Sequence, residues 1–232
     1  MMSTFYPNEE RQLIAVDCVI LGYHHQELKL LLIKRQMEPG IGMWSLMGGF
    51  PRREESLDDA ANRVLFQLTG LDGVYMEQLY AYGEVNRDPG ERVVSVAYYA
   101  LINIGDDDEN LTGLHDACWC PLSQIPELVF DHRIMVDKAL ARLRRKARIQ
   151  PIGFELLPEK FSLPQLQGLY EAIYQKELDK RNFRKKILSM DLLDKLEEKD
   201  KTSSKKGAFL YRFNQEKYNE LLAKGFYFSV DV

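Results

Sequence analysis

Apolar positions recur along this chain in two rhythms, the alternation of strands and the three-to-four spacing of helices. From Leu13 to Gly22 the run "LIAVDCVILG" is apolar and rich in β-branched residues. After the polar turn "YHHQ", the run "ELKLLLIKR" (Glu27 to Arg35) completes a hairpin of two strands. A glycine-rich loop, "EPGIGMWSLMGGFPRR", leads to Ser56, which is suited to cap a helix whose first turn carries Asp58 and Asp59. Three more strand-like runs follow, "VYMEQLYAYGEV", "RVVSVAYYALINI" and "ACWCPL". The stretch from Phe130 to Ala147 then has helical spacing through Ile134, Val136, Ala139, Leu140 and Leu143. It ends in a basic turn, as helix C-termini prefer.

The two prolines of "RIQPIGFELLPEK" mark a connection, after which the pattern changes to short helices and a charged hairpin. Ser162 with Gln165 forms a capping box for the helix "LPQLQGLYEAIYQ". A second helix, "LDKRNFRKKILSM" (Leu178 to Met190), precedes two strands, "LLDKLEE" and "AFLYRF", joined by the polar tip "KDKTSSKKG"; Asn214 then caps a last helix. Helix, helix, hairpin is a winged helix-turn-helix plan. The chain therefore divides into residues 1–148, an α+β module, and residues 149–232, a winged helix.

Charge supports that division: residues 1–147 carry a net −7 and residues 148–232 a net +3. No apolar run is long enough to cross a membrane and the N-terminus does not read as an export signal, so a cytoplasmic protein is expected. Cys18, Cys118 and Cys120 lack CxxC spacing, and the four histidines (His24, His25, His115, His132) form no metal pattern. Neither a disulfide framework nor a structural metal is expected, and no cofactor is implied.

Chemistry enters with "GGFPRREESLDDAANRVLFQLTGL", Gly48 to Leu71. Its spacing resembles the Nudix box, G-x5-E-x7-R-E-U-x-E-E-x-G-U, where U is a bulky aliphatic. Gly49, Glu55, Arg63, Leu65, Gly70 and Leu71 fall on motif positions. The family's helix places carboxylates at i, i+3 and i+4 on one face, where they hold Mg²⁺ against a pyrophosphate. Here those positions are Val64, Gln67 and Leu68. Leu57, Ala60, Ala61, Val64, Leu65 and Leu68 instead make a continuous apolar stripe, so a core helix without catalytic residues or a metal is expected. A residual hydrolase remains the enzymatic alternative, with Glu54, Glu55 or Glu84 as unusual ligands.

In the second module, "KRNFRKK" puts five cations in seven residues. Phe183, Ile187 and Leu188 are expected to anchor this helix, leaving Lys180, Arg181, Asn182, Arg184 and Lys185 to meet phosphates and base edges. Ser203, Ser204, Lys205 and Lys206 at the hairpin tip would touch the sugar-phosphate backbone. An RNA-facing or protein-interaction module is the rival reading.

The degenerate box and the winged helix together resemble the Nudix-related bacterial transcriptional regulators of the NrtR type and, most closely, their arabinose-responsive AraR relatives. "NRDPGERVVSVAYYAL", "WCPLSQIPELVFDH" and "LDKRNFRKKI" look like segments of that family. The resemblance implies a Nudix-like α/β/α sandwich with a mixed sheet, followed by the winged helix. It further implies a homodimeric repressor that grips a palindromic double-stranded operator and releases it when a small effector binds. Loss of the carboxylates points to an uncharged sugar, L-arabinose or a similar pentose, ahead of ADP-ribose and a role in NAD metabolism. Asp17, Lys34, Glu84, Asn86 and Arg92 would serve its hydroxyls, with Trp44, Tyr82 or Tyr98 as the flat platform.

Overall fold

The computed structural model describes residues 9–105, 117–200 and 207–230. The first hairpin forms from β1 (Leu13–His24) and β2 (Glu27–Lys34), joined by His25 and Gln26, both at positive φ. The turn is shorter than "YHHQ" suggests, because β1 continues through His24. Within the glycine-rich loop two short strands appear that hydrophobic alternation does not reveal, β3 (Trp44–Ser45) and β4 (Met47–Gly49), which pair with β2 and β1.

Helix α1 (Leu57–Thr69) is followed by β5 (Glu77–Tyr82), β6 (Val93–Asn103), β7 (Cys118–Pro121) and α2 (His132–Ile149). β6 runs parallel to β1 and antiparallel to β5, so the sheet is mixed, in the order β3-β2-β1-β6-β5 with β7 on β2 and β4 on β1. Alternation along β1 splits its side chains between two cores. Val16, Cys18 and Ile20 pack under α1, whereas Val19, Leu21 and Tyr23 face α2. Helix α2 buries Met135, Val136, Ala139, Leu140 and Leu143, but Ile134 is 60% exposed, because it lies off the row that these residues share.

The second module comprises β8 (Phe161–Ser162), α3 (Leu163–Tyr174), α4 (Lys180–Ser189), β9 (Leu193–Asp200), β10 (Ala208–Phe213) and α5 (Gln215–Ala223). Gln165 Oε1 accepts the Ser162 backbone N–H at 2.7 Å, and Asn214 caps α5 through the Lys217 N–H, both as expected. β8, β10 and β9 form the antiparallel wing sheet. Leu166, Leu169 and Tyr170 of α3 join the same apolar cluster as the α2 face of the first sheet. Arg144 of α2 also donates to the Ile173 carbonyl at 3.2 Å. The two modules thus share one core, and the division expected after residue 148 falls in the last turn of α2.

Candidate functional site

Helix α1 starts at Ser56, whose hydroxyl accepts the Asp59 N–H, and ends at Gly70 in the left-handed region, φ 77°. Ala60, Ala61, Val64 and Leu65 are buried, with Leu57 and Leu68 half-buried at the edges of the stripe. A Cβ on Gly49 would stand 2.7 Å from Val64 Cγ2, so this motif glycine admits the helix to the sheet. The retained charged residues serve each other: Arg63 donates twice to Glu55, at 2.5 and 2.9 Å, and also reaches Gln67 and the Phe50 carbonyl. The hydrogen bond from Arg63, followed by that from the Arg52 N–H, holds the Glu55 carboxyl down to about 2. Glu54 and Glu84 are exposed, and among the described residues no group of three His, Cys, Asp or Glu side chains is placed to hold a metal. The residues present therefore do not fit the divalent cation of a Nudix hydrolase.

On the opposite face of the sheet lies a polar cluster of which only Asp17 stands out in the sequence. Asp17 is buried and accepts the Ser95 hydroxyl at 2.5 Å. A Cβ on Gly48 would meet Asp17 Oδ1 at 2.2 Å, so this glycine leaves room for the carboxylate. Arg87 forks onto Asp131 at 2.9 and 2.7 Å and stands 3.8 Å from Asp17. Burial opposes the Arg87 charge, but Asp131 outweighs it and keeps the guanidinium firmly protonated. His132, at the start of α2, accepts the Leu46 N–H on Nδ1 at 3.2 Å, which leaves the ring proton on Nε2, 3.6 Å from Asp17. Burial pushes its pKa below the ordinary histidine value, so the ring is neutral at pH 7. Arg87, Asp131 and His132 lie 44 and 45 residues apart in sequence, and no spacing rule unites them.

The structure brings some of the proposed effector residues together and separates others. Lys34 sits over the Trp44 ring, 5.2 Å from its centroid. Tyr82 lies on the same side as Asp17, its buried hydroxyl without a hydrogen-bond partner among the described residues and its pKa raised by burial to about 12. Tyr98, in contrast, is paired with Cys18, faces α1 and donates to Asp58 at 2.6 Å, so it shares no cleft with Asp17. Glu84 and Asn86 are exposed on the loop before β6, where Arg92 donates to the Glu84 carbonyl at 3.0 Å. A pocket of about 260 Å³ opens beside β2 and β3, lined by Lys34, Arg35, Met37, Ser45, Leu46 and, from α1, Leu68. The former carboxylate position thus supplies an apolar wall, and two cations supply the charge.

Asp179 caps α4 through the Asn182 N–H, and Phe183 and Ile187 bury one face. At 100° per residue, Arg181, Lys185 and Leu188 form the outward row, with Arg184 and Asn182 on its flanks. All of these are exposed, as is Lys180. Leu188, expected as an anchor, is 37% exposed because it falls on this outward row. Ser203, Ser204, Lys205 and Lys206 lie outside the described residues.

A NUDIX domain model matches residues 11–139, and a model of the NrtR DNA-binding winged helix domain matches residues 153–213. The chain is 33% identical to the ADPR responsive transcriptional repressor NtrR of Acinetobacter baylyi, over 89% of this chain and 84% of that protein. Shewanella oneidensis NrtR complexed with a 27mer DNA superposes with a TM-score of 0.74 at 31% identity, covering 95% of this chain and all of that one. The NUDIX domain of the same S. oneidensis protein, complexed with ADP ribose, gives a TM-score of 0.50 at 36% identity, over 58% of this chain and 90% of that one. A Nudix helix without the motif carboxylates, a cationic winged helix and these likenesses agree: the chain belongs to the NrtR family, in which a Nudix domain is joined to a DNA-binding winged helix domain.

Proposed function

We propose that this protein is a transcriptional repressor that binds a palindromic operator as a homodimer and is released by ADP-ribose held, without turnover, in its Nudix domain. The observation that carries the DNA-binding reading is the outward face of α4. Arg181, Arg184 and Lys185 stand exposed there with no carboxylate partner among the described residues, on a helix docked by Phe183 and Ile187. Such a row suits base edges and phosphates in a major groove. A homodimer would present two such helices related by a two-fold axis, the symmetry that a palindromic operator matches.

ADP-ribose displaces the expected pentose. The A. baylyi relative is named for its response to that nucleotide and the S. oneidensis NUDIX domain is described in complex with it, while the arabinose relationship finds no support among the relatives. The pocket offers a physical reason. Lys34 and Arg35 line it, and cations can grip a diphosphate directly where the carboxylate and metal grip has gone. Trp44, beneath Lys34, supplies an apolar ring for a base or ribose. For binding to release DNA, the effector must prefer the DNA-free arrangement, since equal affinity for both shifts nothing.

Calorimetry on the full chain tests the effector, with ADP-ribose, L-arabinose and other pentoses in separate runs and chromatography of the nucleotide afterwards. Saturable binding of intact ADP-ribose is expected. Heat from a pentose alone would overturn the effector assignment, and conversion of ADP-ribose with Mg²⁺ present would overturn the absence of turnover.

A further inference from the structure

The stretch from Leu128 to His132, which leads into α2, is held by walls of the pocket beside β2 and β3 and by Trp44 next to them. Leu128 forms a parallel β-bridge with Trp44, and the Val129 N–H donates to the Trp44 carbonyl at 2.8 Å. Phe130, at a φ of 53°, lies beneath Arg35, whose guanidinium carbon stands 5.1 Å from the ring centroid. His132 Nδ1 accepts the Leu46 N–H at 3.2 Å and lies 3.4 Å from the Ser45 hydroxyl. Arg35, Ser45 and Leu46 line the pocket, whereas residues 128–132 do not. Arg87 secures the stretch from another side by its fork onto Asp131.

The far end of α2 is built into the second module. Leu140, Leu143 and Ala147 share a core with Leu166, Leu169 and Tyr170 of α3. Arg144 donates to the Ile173 carbonyl, and the Arg148 carbonyl accepts the Val230 N–H at 3.0 Å, so the chain beyond α5 also returns to this helix. The 18 residues of α2 span about 27 Å and include neither Gly nor Pro. A tilt imposed at its start is therefore carried to its end. Another contact crosses between the modules at the β1–β2 turn, where a Cβ on Gly168 of α3 would stand 2.6 Å from Gln26 Oε1. That turn lies at the opposite end of β2 from Lys34 and the pocket.

We propose that His132 is a positioning residue for the effector response: by holding the Leu46 backbone to the start of α2, it ties the state of the pocket to the tilt of α2 and so to the seat of α3. Phe130 adds a contact to Arg35, a cation that a diphosphate in the pocket would draw from the ring. The inference rests on the reading of ADP-ribose as the effector held in this pocket, and it adds the residues by which that binding reaches the winged helix.

The test reads coupling rather than either affinity alone. ADP-ribose binding is measured by calorimetry on the full chain, free and saturated with an operator duplex. The ratio of the two affinities is the coupling factor, and by linkage it is also the factor by which ADP-ribose weakens DNA binding. Wild type is expected to give a factor of roughly 5–150. His132→Ala should bring it to within about twofold of one, although the chain still binds ADP-ribose and operator separately. His132→Asn, whose amide oxygen can accept the Leu46 N–H, should restore the factor. Phe130→Leu, at a half-buried position, should lower it in part, and it carries the test if His132→Ala does not fold. Gln26→Ala, at the other contact between the modules, should leave it unchanged. A wild-type factor in both His132→Ala and Phe130→Leu would overturn the proposal, as would an equal loss in His132→Asn or a loss in Gln26→Ala alone. A wild-type chain that binds operator but takes up no ADP-ribose, or takes it up with a factor of one, would instead overturn the effector reading, and the relay with it.

Discussion

Helices α1 and α4 are both short and amphipathic, and both dock through one apolar face; they differ in what became of the polar one. On α1 the charges are consumed internally: Arg63 is spent on Glu55, Gln67 and the Phe50 carbonyl, and Asp58 accepts from Tyr98. On α4 Arg181, Arg184 and Lys185 are left without carboxylate partners among the described residues. A charged group that the fold satisfies has become scaffold, whereas a row that the fold leaves open is available to an external partner. The motif positions of α1 thus contribute to the core and to internal pairing, whereas the open cationic row stands on the second module.

The largest test of the comparison removes the anchor of α4. Phe183 is 3% exposed and packs on Tyr170 at 5.5 Å between ring centroids. Phe183→Ala should cost about 3–5 kcal/mol in denaturant unfolding of the chain and abolish operator binding. Val64→Glu asks whether α1 can take back a motif carboxylate. With Val64 buried against Gly49, we expect a loss of about 3–4 kcal/mol by thermal melting and no gain of ADP-ribose hydrolysis. An unchanged melting temperature would show that the face is still open to solvent.

Arg181→Ala should leave the melting temperature unaltered and weaken operator binding by about 1–3 kcal/mol, read by fluorescence anisotropy. An equal effect on stability would mean that α4, like α1, spends its charge within the fold. The smallest effect concerns Glu55. Its pKa falls from an ordinary 4.5 to about 2 on folding, so the pairing with Arg63 stabilises the chain above pH 4.5 and that contribution fades as pH falls toward 2. Glu55→Gln should melt slightly lower at pH 7, with the gap to wild type closing across that window. A constant gap would assign the difference to packing rather than charge.

Local signals made much of this legible. The caps at Ser56, Ser162 and Asn214, the apolar stripe of α1 and the cations of α4 follow from neighbours three or four residues apart. The register of β1 against β6 does not, and that register is what sends Tyr98 to the α1 side while Asp17 faces α2. Ile134 and Leu188 are apolar yet exposed, since helical phase decides burial and a single residue slip in the assumed row misplaces them. Arg87, Asp131 and His132 meet only through tertiary packing.

The central claim is that one chain couples a nucleotide held without turnover to release of DNA. Fluorescence anisotropy of an operator duplex, titrated first with the protein and then with ADP-ribose, tests it most directly. Tight binding to the operator over random duplex, followed by release on adding ADP-ribose that is recovered intact, is the expected result. An operator complex indifferent to ADP-ribose, or nucleotide consumed while the DNA stays bound, would contradict it.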